Sequence, residues 1–220
     1  MTETTYVQLL NLAGGAILLT AVLILWRRDL ATIVRVFACQ GVAAAVLVAV
    51  LAAHERSGEL WAVAFGVLVL RAGVLPWLLR RALAGAASNR RETRPVVNVA
   101  ASLIAAAVLT LLAYAASRPL VELAPSPATQ AIPVGLTVVL IGFFVLVTRR
   151  HALSQLVGFL LMDNGITAIG FLTTSGIGLI VDIGVSLDVL LAVLVLQVLT
   201  SRMREVFGDS DLDELRELRD

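Results

Sequence analysis

The sequence contains no lysine and a single cysteine, and only 15% of its residues are charged. One thiol, Cys39, cannot form an internal disulfide, and it cannot by itself hold an iron–sulfur cluster or a nickel–iron centre. The glycines follow no phosphate-loop or dinucleotide-binding pattern. We therefore expect no cofactor, no bound metal and no redox chemistry within this chain, and nothing indicates a nucleic-acid partner.

Apolar residues, in contrast, make up 59% of the 220 residues. A soluble fold of this length could not hide so much apolar surface. Segments of ~20 apolar residues are long enough to cross a bilayer. The sequence therefore predicts an all-α membrane protein of about seven transmembrane helices: Tyr6–Trp26, Leu30–Ala53, Leu60–Leu79, Val96–Ala116, Ile132–Thr148, Ala152–Leu172 and Gly176–Thr200.

Two details of these spans lead to further predictions. The start, Met1–Tyr6, contains Glu3 and no basic residue, unlike a cleavable signal peptide, so we expect the first span to be retained. The fifth span is the shortest, and Pro133 suits the first turn of a helix, where no backbone donor is lost.

Arginine carries the information on topology. Alternate loops are rich in arginine, and the positive-inside rule places them in the cytoplasm: Arg27 and Arg28; Arg80, Arg81, Arg90, Arg91 and Arg94; Arg149 and Arg150; Arg202 and Arg204. The opposite loops hold only Arg56 and Arg118. This pattern predicts an N-terminus outside and a C-terminus in the cytoplasm. It also separates His54 from His151, so the two histidines cannot share a metal or a haem.

Ionisable residues inside predicted spans are the candidate functional residues. A charge at mid-bilayer costs ~2.5–3.5 kcal/mol even on the insertion scale, so each one needs a reason. Counting the helical rise puts three of them at one level, ~14–18 Å from the cytoplasmic ends of their helices. These three are Arg71, Asp163 and Asp188; Asp182 lies nearer the outer surface, and the polar residues Asn164 and Gln155 share the helix of Asp163.

Two acids and one cation at one level cannot all pair. If Arg71 neutralises one aspartate, the other lies in a medium of low dielectric near a like charge, and both conditions favour a protonated carboxyl. The pattern therefore favours a proton path through Asp163 and Asp188 with Arg71 beside them. A static ion pair that fixes helix packing is the alternative. Asp182 belongs to the path or is simply hydrated or capping its helix.

The last third of the chain resembles a known family. Residues 148–165 read TRRHALSQLVGFLLMDNG, and a second run reads Asp182-x-Gly184-x-x-x-Asp188. These motifs are similar to NuoK-like membrane subunits, and most of all to the hydrogenase-4 component E family. Arg71 with Pro76 resembles the basic residue and proline on that family's third helix. Two features depart from the pattern: Leu160 stands where the complex I subunit has a buried glutamate, and aspartates replace the family's usual glutamates.

The resemblance implies a role and partners. The chain would be a membrane-arm subunit of a complex I-like group 4 hydrogenase of the formate hydrogenlyase type, or of a related oxidoreductase, in the plasma membrane. It would hold no cofactor and would not be catalytic on its own. Its partners would be antiporter-like membrane subunits and a hydrogenase-type peripheral redox arm, besides membrane lipid.

Two other functions remain open on the sequence. A subunit of an Mrp-type cation/proton antiporter also has a NuoK-like unit, although there it is typically only three helices. A passive membrane scaffold would need the charges only for packing.

In domain terms, we predict a four-helix region at 1–118, a NuoK-like three-helix unit at 132–204 and an acidic cytoplasmic tail at 205–220.

Overall fold

The computed structural model describes residues 1–85, 98–123, 125–149 and 152–174. Within these ranges the chain is helical and contains no strand, which confirms the all-α fold class there. The elements are α1 (Glu3–Trp26), α2 (Leu30–Glu55), α3 (Gly58–Val67), a π-helical segment (Leu68–Val74), α4 (Leu75–Gly85), α5 (Val99–Leu123), a 3₁₀ turn (Thr129–Ala131), α6 (Ile132–Thr148) and α7 (Ala152–Thr174).

Six stretches of the described residues are long and apolar enough to cross a membrane. One of them runs without a break through α3, the π-helical segment and α4. Large apolar side chains are exposed on their outer faces, as bilayer solvent allows; examples are Leu19, Phe65, Ile104, Leu111 and Val147. The chain is therefore a multi-pass membrane protein. The predicted seventh span, 176–200, lies outside the described residues, and the count of seven and the orientation stay predictions.

Polar residues begin the helices of this apolar chain. The side chains of Asp29, Ser57 and Asn98 accept hydrogen bonds from the backbone N–H groups of Thr32, Leu60 and Ala101, respectively, at 2.9, 3.3 and 2.7 Å. Such caps satisfy amides that have no partner within the helix. Asn98 thus caps the start of α5.

The sequence placed one helix end too early. Helix α5 continues to Leu123 rather than ending at Ala116, so Arg118 lies inside the helix and not in a loop. Pro119 within α5 removes only one backbone donor, and arginine can extend its charged head from a helix towards the membrane surface. At the next helix, Pro133 lies in the first turn of α6, as expected.

Helix α2 lies at the centre of the described bundle. It contacts α1, the whole α3–π–α4 span and α7, while α5 lies at the edge against α1 and α6. The turn between α6 and α7 is anchored by Arg149, whose Nη2 donates to the carbonyls of Leu25 and Arg27 at 2.9 and 3.1 Å. An arginine predicted in a cytoplasmic loop is thus buried, because it binds carbonyls at the end of α1.

Helices α6 and α7 approach each other closely through glycines. They run antiparallel, with Gly135 facing Gly165 and Gly142 facing Gly158. A Cβ atom added at Gly142 would lie 2.6 Å from the backbone nitrogen of Met162, which no ordinary contact allows. Because small residues let membrane helices pack backbone to backbone, these pairs fix the position of α7, the helix that carries Asp163.

Candidate intramembrane charge network

Arg71 lies in the π-helical segment of the third span. There the backbone bonds reach back five residues, as from the N–H of Leu75 to the carbonyl of Leu70. Single π-helical turns inside α-helices are rare and occur frequently at functional sites. The Arg71 side chain is only 1% exposed and is the largest fully buried one among the described residues. An ion so far from water needs partners, and α7 supplies them.

Three side chains on neighbouring turns of α7 surround the guanidinium. Nη2 of Arg71 lies 2.8 Å from Oδ2 of Asp163 and donates to Oγ1 of Thr167 at 2.7 Å. Nη1 donates to Oδ1 of Asn164. Asp163 and Asn164 are 8% and 2% exposed, so the ion pair and its amide partner are shielded from solvent. Helix α7 thus binds the cation with one carboxylate, one amide and one hydroxyl.

A second amide continues the network to the first helix. Nδ2 of Asn164 donates to Oε1 of Gln40 at 3.0 Å, and Nε2 of Gln40 donates to the carbonyl of Ile17 at 3.3 Å. Gln40 is fully buried. The side-chain oxygen of each amide accepts a hydrogen bond from the preceding residue, and its nitrogen donates to the next acceptor. The hydrogen bonds therefore all run in the same direction, with each donor on the Arg71 side and each acceptor on the α1 side. The network therefore links four spans.

A glycine lets α2 reach the π-helical segment. A Cβ atom added at Gly41 would lie 2.6 Å from both the backbone carbon and the oxygen of Arg71, and 2.8 Å from the nitrogen of Ala72. Since backbone atoms cannot move aside as a flexible side chain can, only glycine fits here. Gly41 sets the distance at which Gln40, its neighbour, meets the partners of Arg71.

The ion pair lies near the middle of the spans that carry it. Asp163 is eleven residues from either end of α7, which corresponds to ~16 Å of helix. Arg71 is near the centre of the span Gly58–Arg81. The expectation that these two charges share one depth is confirmed by their direct contact. Their role in a proton path stays a prediction.

The structure places the other predicted site residues differently from one another. Asn164 joins Asp163 in the network, as described above, whereas Gln155 donates to the carbonyl of Arg149 at 2.9 Å, at the turn between α6 and α7. Asp182 and Asp188 fall outside the described residues. Gln40, which is not among the predicted site residues, bonds between helices. Thr167 was missed, although its spacing of four residues from Asp163 puts it one turn along the same face.

The network offers charge chemistry rather than metal chemistry. In the part of the chain that the structure describes, no three metal-ligating side chains come together. His54 instead stacks on Tyr6, with ring centroids 3.9 Å apart. What the site can do follows from its buried pair: the guanidinium stabilises the ionised carboxylate, and any change in their separation alters the affinity of Asp163 for a proton.

Fold and network together define a multi-pass helical membrane protein with a buried arginine–aspartate pair. The chain is 50% identical over 220 residues to "Uncharacterized protein Rv0085" of Mycobacterium tuberculosis (strain ATCC 25618 / H37Rv), and the match covers 100% of both chains. It belongs to the same family as that protein.

A more distant relation links the chain to proteins with a descriptive name. It is 22% identical over 212 residues to hydrogenase-4 component E of Escherichia coli (strain K12), with 96% of this chain and 98% of the relative covered. The same values hold for hydrogenase-4 component E of Shigella flexneri. No family model and no solved structure matches the chain. The homology is thus distant but extends over nearly the whole chain.

Proposed function

We propose that this chain is a membrane-arm subunit of a complex I-like group 4 hydrogenase of the formate hydrogenlyase type, or of a related oxidoreductase. In this role it contributes intramembrane carboxylates to proton translocation across the plasma membrane. Support comes from the distant homology with hydrogenase-4 component E over 96% of the chain. That coverage includes the N-terminal spans, which a three-helix antiporter subunit would lack.

The observation that carries the proposal is the buried pair of Arg71 and Asp163. Burying two charges costs several kcal/mol per ion before their attraction repays it, and replacing such pairs by apolar residues is often neutral or stabilising. A chain that needed only a rigid bundle could use glycine contacts such as those between α6 and α7. The pair gives the chain a carboxylate whose protonation depends on the position of one cation.

The step we assign to these residues is a proton exchange. Arg71 contacts Asp163 in the structure, and we assign the ionised carboxylate to this arrangement. When Arg71 turns towards a second carboxylate, for which we propose Asp188, Asp163 loses its cation and binds a proton. The return of Arg71 releases that proton. Asn164 and Thr167 hold the guanidinium between these events, and Gln40 accepts from Asn164 and so keeps it in place. Asp182 connects the path to the outer side.

The partners follow from the same role. Redox chemistry belongs to a hydrogenase-type peripheral arm, because we assign no cofactor to this chain. Antiporter-like membrane subunits adjoin it and share the proton path. The subunit is therefore not catalytic by itself, and its activity is measurable only as coupling within the complex.

The test uses membrane vesicles that carry the intact complex. We expect Asp163→Asn to lower redox-driven proton uptake by at least tenfold while uncoupled dye reduction by the redox arm persists, because the amide cannot ionise. Asp163→Glu, which keeps the charge, should restore part of the uptake. Asp29→Asn is the matched control, since it neutralises a carboxylate that caps α2 at the end of the bundle.

A passive scaffold gives a different result. If Asp163→Asn and Asp188→Asn leave proton movement per electron unchanged in a fully assembled complex, the carboxylates are structural and the relay is refuted. If the chain copurifies with cation/proton antiporter subunits and no redox arm, the assignment to an oxidoreductase fails instead.

A further inference from the structure

A cavity of about 570 Å³ opens between the last turns of α5 and the start of α6. It lies at the end of the bundle that the predicted orientation puts outside. Most of its wall is apolar, with Leu111, Val121 and Pro133 among the lining residues. The charge network uses none of these residues. A cavity of this size and composition at a membrane surface suits part of an amphipathic molecule.

Two opposite charges line the cavity one helical turn apart. They are Arg118 and Glu122 of α5, and both side chains are exposed. In the described part of the chain they form no ion pair with each other, although their spacing would allow one. A cation and an anion, ~6 Å apart along the helix axis, therefore face the same space and are both available to a ligand.

A tyrosine also lines the cavity. Tyr114 is exposed, and tyrosine is enriched where membranes meet water. The cavity thus combines an apolar wall with one cation, one anion and one aromatic residue of the type found at membrane interfaces.

We propose that this cavity binds one zwitterionic phospholipid of the phosphatidylethanolamine type. Its phosphate lies against Arg118, and its ammonium group donates to the carboxylate of Glu122. The first part of an acyl chain runs along Leu111. An anionic lipid without an ammonium group satisfies Arg118 but brings negative charge towards Glu122, so charge complementarity selects the zwitterion.

The rest of α5 provides an internal reference. Ile104 and Val108 are exposed and purely apolar, so they contact acyl chains whatever the headgroup is. Selectivity for a headgroup should therefore occur at the cavity and not along the middle of the helix. This difference lets a single labelling experiment contain its own control.

The experiment labels the full chain in membranes that contain phosphatidylethanolamine and phosphatidylglycerol. A trace of either lipid carries a photoactivatable group near the start of an acyl chain, and labelled peptides are measured by mass spectrometry. We expect the ethanolamine lipid to label 111–133 about threefold more than the glycerol lipid, in keeping with exposed charge pairs. Labelling at 100–110 should not distinguish them.

Variants assign this preference to the two charges. Glu122→Gln should abolish or reverse the preference, because the repulsion of an anionic lipid is gone, and Arg118→Gln should reduce labelling by both lipids. Glu59→Gln and Arg56→Gln are matched controls, since both side chains are exposed at the same end of the bundle. Each control should keep the threefold preference.

Three outcomes would overturn the proposal. Equal labelling of 111–133 by both lipids would show a site without headgroup selectivity. A preference for the glycerol lipid in the unaltered chain would assign an anionic ligand. Absence of label from 111–133 for both lipids, with labelling at 100–110 retained, would show that the cavity does not hold a lipid.

Discussion

Helix α7 is held on two sides by different interactions. Towards α6, glycine pairs bring the two backbones into direct contact. Towards α2 and the π-helical segment, the contacts are an ion pair and hydrogen bonds made by Asp163, Asn164 and Thr167. Lipid offers little hydrophobic driving force between helices, so packing and polar contacts are the two remaining means of association.

The two sides of α7 differ in whether their contacts depend on charge. Contact between backbones on the α6 side does not depend on charge. The contacts on the Arg71 side include an ion pair, whose attraction requires the charge of Asp163. One helix thus combines a face packed through backbone contacts with a face held by charge and hydrogen bonds. Substitutions on each side of α7 test this difference, and we give them from the largest expected effect to the smallest.

Removing the cation should have the largest effect. Arg71→Ala leaves a buried carboxylate without its partner, and we expect a loss of about 3–5 kcal/mol in stability, with poor assembly. Asp163→Asn should cost less, because the Asn164 and Thr167 oxygens still accept from Arg71. Arg71→Lys should recover part of the loss, as a point charge without the forked geometry. Thermal unfolding in mild detergent and the yield of assembled chain measure this. Full stability of Arg71→Ala would disprove the pairing.

Separating α7 from α6 should come next. Gly142→Ala places a methyl group 2.6 Å from the backbone nitrogen of Met162, so the helices must move apart, at about 1–3 kcal/mol. Gly170→Ala is the matched control, because a Cβ atom there meets nothing within 4 Å. The midpoint of thermal unfolding of each variant measures the effect. Equal midpoints would mean that the close contact does not hold the hairpin.

Displacing the π-helical segment should affect coupling as well as stability. Gly41→Ala pushes a methyl group against the backbone of Arg71, so we expect the cation to shift from Asp163 and proton uptake to fall several-fold in the assembled complex. Gly73→Ala, in the same segment but with open space at its Cβ position, should be tolerated. The ratio of proton uptake to dye reduction measures both. Normal coupling in Gly41→Ala would exclude a positioning role.

Cutting the amide connection to α1 should have the smallest effect. Gln40→Leu removes the acceptor of Asn164, and interhelical hydrogen bonds in membranes average ~0.6 kcal/mol. A small loss of stability is therefore expected, and its control, Gln8→Leu at an exposed position on α1, should show none. Comparing Gln40→Leu in the native and Asn164→Leu backgrounds tests the link. Additive effects would show that the two amides act independently.

Much of this architecture could be predicted from residue order. Runs of apolar residues located six spans, and counting the helical rise put Arg71 and Asp163 at one depth. Depth follows from sequence because a transmembrane helix advances by a constant step between two fixed surfaces. The end of α5 was missed because hydrophobicity marks the edge of the hydrocarbon and not the end of a helix, which continues through Arg118.

The sequence alone could not show which residues of different helices contact each other. The sequence by itself determined the membrane class, the approximate positions of the six described spans and the shared level of Arg71 and Asp163, because each depends on one helix and its solvent. Only the tertiary structure decided that Gly41 meets the backbone of Arg71, and that Gln40 joins Asn164 to Ile17. It also decided that a π-helical segment carries the arginine. These features depend on how helices rotate against one another, and rotation is set by packing that several distant segments share.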